Sequence, residues 1–74
     1  MAVFRFNLTL IKAAGQKELV VSLGEPAALT ELLEKIGIAP GEVGIVIKNG
    51  KWAPVDCLVE ENDNIELFPV LQGG

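Results

Sequence analysis

Residues 28–38 read ALTELLEKIGI. Leu29, Leu32, Leu33 and Ile36 recur at i, i+3, i+4 and i+7, which on a 3.6-residue period is one apolar stripe, while Glu31, Glu34 and Lys35 fall on the wet face. Gly37 suits a left-handed backbone just past a helix end, and Ile38 stands where such a cap packs an apolar residue back on the last turn. Upstream, Gly24, Glu25 and Pro26 break the preceding segment, and Pro26 sits near the first helical position, where its fixed angle is already helical. The stretch predicts about ten residues of helix, three turns, with one face to bury.

What flanks it alternates. From Val3 to Ile11 the even positions Phe4, Phe6, Leu8 and Leu10 are apolar and Arg5, Asn7 and Thr9 polar, the period of a strand with one wet face. Ala13, Ala14, Gly15 and Gln16 make a turn, and Leu19, Val21 and Leu23 alternate with Glu18 and Ser22 to return as the second strand of a hairpin. After the Pro40–Gly41 loop, Val43, Ile45 and Ile47 alternate up to Asn49-Gly50, whose positive backbone angles fit a two-residue hairpin turn. Lys51 and Trp52 begin a return strand that Pro54 keeps short or at a sheet edge, since proline cannot donate to a ladder. Asp56 to Val59 reads as an irregular turn, EENDN as a charged loop, and Ile65 to Phe68 as the final strand. A single helix with one stripe needs one sheet face to bury it. The fold class is therefore α+β, a β-grasp (ubiquitin-like) domain over residues 1–69 with a four- to five-stranded mixed sheet clasping one main helix. The final strand is expected parallel to the first in the sheet centre.

Composition bounds the chemistry. The 74 residues make one domain, half of them apolar, enough for a packed core. No apolar run approaches the roughly 18 residues of a membrane helix, and MAVFRFNLTL alternates where an export signal would be continuously apolar. With one cysteine, the expectation is a soluble protein of a reducing cytoplasm. Ten acidic against six basic residues give a net charge of −4, which repels phosphate backbones and acidic membranes, so nucleic acid and membrane partners are not expected. There is no histidine: triads that need one are excluded, and a zinc site would have to be built from carboxylates.

The chain ends FPVLQGG. Pro69 cannot continue a regular ladder, so the chain is expected to leave the sheet there and residues 70–74 to form a flexible tail. Glycines carry no Cβ, so Gly73 and Gly74 can thread a narrow channel and present a terminal carboxylate inside another protein's active site. A carboxylate resists nucleophiles; joined to AMP it becomes an acyl adenylate that a sulfur nucleophile or an amine can attack.

The hairpin, the LTELLEKIG helix, the VGIVIKNG strand and turn, and ENDNIELFPVLQGG together resemble the ThiS/MoaD family of ubiquitin-like sulfur carriers over nearly the whole chain. Phe68-Pro69 is more similar to the molybdopterin synthase small subunit than to the thiamine carrier, whereas Val70 and Gln72 depart from the molybdopterin pattern, which more often has a second proline and a small residue there. The resemblance implies a carrier, not itself an enzyme, with no tightly bound cofactor. Gly74 would be adenylated by an E1-like adenylyltransferase using ATP and magnesium, and a cysteine desulfurase or rhodanese type of donor would supply the sulfur of a thiocarboxylate. A larger synthase subunit or a thiazole synthase would receive the tail, contacting Phe68, Pro69, Val70, Leu71, Gln72 and Gly73. Two alternatives share the fold: a modifier conjugated to lysines through Gly74, and a ligand-binding regulatory module that would not need the glycines.

Other conspicuous residues receive structural readings. Cys57 is read as a small buried apolar residue ahead of a persulfide or thioester site, Trp52 as a cross-strand packer in its hairpin ahead of a surface hot spot, and Glu60, Glu61 and Asp63 as a solvated loop ahead of a patch that steers a basic partner. Lys48 is an outward strand residue with no assigned role.

Overall fold

The computed structural model describes residues 1–70. At its centre lies the last strand, β7 (Asn64–Pro69), flanked on one side by β1 (Ala2–Phe6), which runs parallel to it with Val3 beside Asn64 and Phe6 beside Leu67. On its other side β4 (Val43–Lys48) runs antiparallel. The sheet is completed by β2 (Glu18–Val21) against β1 and β5 (Lys51–Ala53) against β4, both antiparallel, in the order β2-β1-β7-β4-β5. The two edge strands are the short ones, and β5 stops at Pro54 as the missing donor requires.

Helix α2 (Leu29–Ile36) crosses the concave face. Leu29 and Leu33 are fully buried and Leu32 nearly so, against Phe4, Phe6, Ile65, Leu67 and Val46 from the three central strands. The helix closes as the sequence anticipates. Gly37 has φ 98°, its N–H donates to Glu34 O, and Ile38 N–H donates across six residues to Leu33 O at 2.9 Å while the Ile38 side chain is buried. At its start, Pro26 lies ahead of the helix, not at its first position, because Ala27–Ala28 are taken up as a short strand, β3, paired with β6 (Leu58–Val59). That pairing, anchored by Leu29 N–H to Cys57 O at 2.8 Å, orders the segment that reads as an irregular turn in sequence and trims the helix to eight residues.

Two expectations are corrected. The alternation from Val3 to Ile11 is a strand only as far as Phe6; Thr9–Ala14 is a helix, α1, so β1 and β2 pair without a tight hairpin. The apparent period misleads because Leu8 and Leu10, two apart, would share a strand face, yet Leu8 is 65% exposed and Leu10 2%. A contact from across the sheet makes the break: Asn7 donates both its N–H and its side-chain amide to Leu67 O, each at 3.1 Å, and Leu8 turns the chain at φ 54°. α1 then ends on Gly15 at φ 76°, whose N–H returns to Ile11 O.

The second correction concerns β4. Val43, Ile45 and Ile47 do not share a face, because Val43 opposes Pro69 and Ile45 opposes Phe68, leaving Gly44 as an extra residue in a bulge. The bulge shifts the phase, so Val43 and Val46 enter the core while Ile45 and Ile47 turn to the open face. Past the bulge the strand is regular and ends at Asn49 (φ 51°) and Gly50 (φ 82°), the two left-handed angles expected of this turn.

Candidate functional site

β7 runs through the core and delivers the chain to one end of the sheet. Ile65 and Leu67 point into the core, Phe68 and Pro69 are half-buried, and Val70 is 45% exposed. Pro69 does not release the chain: it is still in register with Val43, and the Val70 N–H donates to Glu42 O at 3.0 Å. Pro69, which has no N–H to donate, sits at the ladder end, where such a gap is tolerated, and Val43 N–H there donates to Pro40 O to close the 3-10 turn Pro40–Glu42. Beside this root a cleft of about 460 Å³ is lined by Thr9, Leu10, Gly41, Glu42, Pro69 and Val70. The remaining expected site residues, Leu71, Gln72, Gly73 and Gly74, lie outside the described residues.

An apolar strip leads to the root across the open face of the sheet. Phe68 stands directly opposite Ile45, and Ile47 opposite Trp52 on the next strand. Trp52 stands in cross-strand register with Ile47, yet it is 75% exposed because β5 is an edge strand, and among the described residues that exposure favours the surface reading over the packed one. A solvent-facing tryptophan beside half-buried Ile47, on the face that also carries Ile45 and Phe68, has the composition of a contact surface. Arg5 and Glu18 form an exposed ion pair at 3.5 Å farther along the same face, a contact of little energetic weight.

At the other end of β7, Asp63 corrects the solvated-loop reading. It is 8% exposed, accepts a hydrogen bond from Asn49 Nδ2 at 2.9 Å and one from Glu60 N–H at 2.8 Å, and lies 3.7 Å from the Lys48 ammonium, which also donates to Leu58 O. Burial alone pushes the Asp63 carboxyl up, but the two hydrogen bonds and the Lys48 charge outweigh it and hold the group below the ordinary carboxylate range. Lys48, without a role in the sequence reading, thus ties the β4 end to β6 through Leu58. Because the folded carboxyl is the stronger acid, its contribution is complete above the unfolded value of about 3.9 and is lost as the pH falls through the lower folded value. Asp63→Asn should cost about 1–3 kcal/mol at pH 7. The cost should shrink toward zero as the pH falls through the lowered folded value, read as the difference in urea midpoints between variant and wild type across a pH series. An equal cost at all pH values would show that shape, not charge, matters there.

Cys57 is half-buried beside the core, and burial pushes its thiol up, so it stays protonated at neutral pH and is a weak nucleophile. Among the described residues no three His, Cys, Asp or Glu side chains converge as a metal site requires. The bulge at Gly44 and its closeness to the root were missed from sequence, although a glycine inside an alternating strand is a recognised sign of a bulge or a close backbone approach.

Three solved structures share this architecture at identities too low to show more than the fold. They are a protein assigned as molybdopterin converting factor subunit 1 from Pyrococcus furiosus (TM-score 0.70, 20% identity, 95% of this chain and 97% of that one), small archaeal modifier protein 1 from Haloferax volcanii (0.71, 19%, 99% and 98%), and a second Haloferax volcanii protein known by its solution structure (0.73, 21%, 99% and 85%). They establish the β-grasp fold. No curated protein sequence matches the chain significantly. The ThiS family profile matches residues 4–74, from the first core phenylalanine of β1 through both closing glycines, and on that span the chain belongs to the ThiS family of small ubiquitin-like proteins.

Proposed function

We propose that the chain is a cytoplasmic sulfur carrier that works through the carboxylate of Gly74. The carrying observation is that the family match extends through Gly73 and Gly74, directly beyond a central strand whose half-buried end carries Phe68 opposite Ile45. In this reading an E1-like adenylyltransferase binds ATP and magnesium, a carboxylate oxygen of Gly74 attacks the α-phosphorus, and pyrophosphate leaves. A persulfide sulfur from a desulfurase or rhodanese type of donor then attacks the acyl carbon and AMP departs. A thiol reduces the resulting sulfur–sulfur bond, leaving the thiocarboxylate on Gly74.

The carrier supplies no acid or base to these steps. It has no histidine, and its cysteine is a protonated, half-buried thiol. Its part is to present the acyl carbon on an unhindered stalk and to offer Phe68, Pro69, Val70, Leu71 and Gln72 as the grip of a larger synthase. The Phe68-Pro69 pair and the likeness to the Pyrococcus furiosus protein favour pterin chemistry over thiazole formation.

Conjugation to lysines is the second reading, favoured by the equal likeness to small archaeal modifier protein 1. Intact-mass spectrometry of the protein isolated from its host separates the two. A species heavier by the difference between one sulfur and one oxygen, confined to the C-terminal peptide, supports the carrier; higher-mass conjugates without it support the modifier.

A further inference from the structure

An ideal Cβ on Gly44 would lie 2.8 Å from Val70 Cα, 2.9 Å from Pro69 O and 3.1 Å from Val70 N. Real Cβ atoms do not approach backbone so closely, and backbone, unlike the tip of a side chain, cannot swing aside. Gly44 does not have a positive φ, so its own conformation does not demand glycine. What demands it is the chain passing over it. That chain is held from the other side by Val70 N–H to Glu42 O at 3.0 Å, and the bulge removes Gly44 from the β4–β7 ladder, leaving its Cα face open for the passage.

We infer that Gly44 and the Glu42 carbonyl form a backbone cradle that seats Pro69 and Val70 and so fixes where the tail begins. This rests on the carrier reading for its consequence, though not for its geometry. With Val70 seated, the four residues that follow span at most about 14 Å when fully extended. Were the chain loose from Phe68 onward, six residues could span about 21 Å. The cradle makes the tail a short stalk with a defined origin, so a partner that grips the domain receives the acyl carbon at a set depth. Gly44 is a positioning residue: it touches no reacting atom.

Gly44→Ala tests this, because alanine suits the backbone angles and only the crossing chain stands in its way. Gly24→Ala is the control, with open space around the added carbon and no positive φ. Two readouts are needed. By amide hydrogen exchange, the Val70 N–H of wild type should be protected and that of Gly44→Ala should exchange at least about tenfold faster, with Ile65 and Leu67 unchanged. In ATP–pyrophosphate exchange driven by the host's E1-like adenylyltransferase, kcat should fall by about 10- to 100-fold while KM stays within about twofold, since the docking surface is intact and only the carboxylate is misplaced.

A Val70 amide that exchanges freely in wild type overturns the cradle, as does wild-type kcat in a Gly44→Ala variant whose Val70 is deprotected. If wild type itself elicits no pyrophosphate exchange, the carrier reading fails and the amide measurement still decides the cradle. Should Gly44→Ala not fold, protection of Val70 in wild type supports the cradle and its absence refutes it.

Discussion

Removing Gly73 and Gly74 should abolish activation of the chain by the proposed adenylyltransferase, with the thermal midpoint expected to stay within about 2 °C of wild type. The two effects should separate because, among the described residues, the buried core is already complete from Ala2 to Leu67. Gly74→Ala is the milder form. A methyl group at the acyl-bearing carbon widens the stalk where it enters its partner's channel and restricts backbone angles that glycine leaves free. An offset of about 1 Å at a reacting atom can cost on the order of a hundredfold in rate. The expected result is therefore a loss of about that size in adenylate formation, with unchanged unfolding. Wild-type activation of Gly74→Ala together with wild-type activation of the truncated chain would remove the carrier reading and leave a β-grasp module with some other task.

Leu33→Ala has the opposite profile. Leu33 is fully buried, its side chain lies in the layer between α2 and the central strands, and its carbonyl is the acceptor of the Ile38 N–H that closes the helix. Truncation leaves a cavity among Phe4, Leu29, Ile65 and Leu67, residues without the freedom to collapse into it, and such changes cost about 2–5 kcal/mol. A domain of this length has a total stability of about 4–11 kcal/mol, so the variant should lose a large part of it, with the midpoint falling by 10 °C or more. At temperatures where it remains folded it should still be activated, because the tail and the open face of the sheet are untouched. An unchanged urea midpoint would mean that α2 does not bury the stripe that includes Leu33.

The comparison between these two variants mirrors what was readable in the chain. The α2 stripe, the Gly37 cap with Ile38, the Asn49-Gly50 turn and the short Pro54-limited edge were all legible, since each follows from local chemistry within a few residues. So was the parallel placement of β7 beside β1, which the single helical stripe and the order of strands impose. The closing glycines were legible as composition, and the family match covers them. Where local reading failed, a distant contact had intervened. Asn7 and Leu67 are sixty residues apart, and their paired hydrogen bonds end β1 before the apolar alternation does. The β3–β6 pair joins segments about thirty residues apart and draws Ala27–Ala28 out of the helix. Asp63 looked like one of several surface acids because its partners Asn49 and Lys48 come from another hairpin. Trp52 looked like a packer because the strand period cannot show whether a sheet face is covered.

By itself the sequence determined a β-grasp domain clasping one main helix and closing on two glycines, because periodicity, caps and turn residues act over a few neighbouring positions. Only the tertiary structure decided which sheet face stays open among the described residues, where β1 stops, and that Pro69 and Val70 pass against Gly44 and Glu42. Those three outcomes depend on which backbone groups meet across the sheet, and such meetings carry no local signature beyond an inconspicuous glycine in a strand.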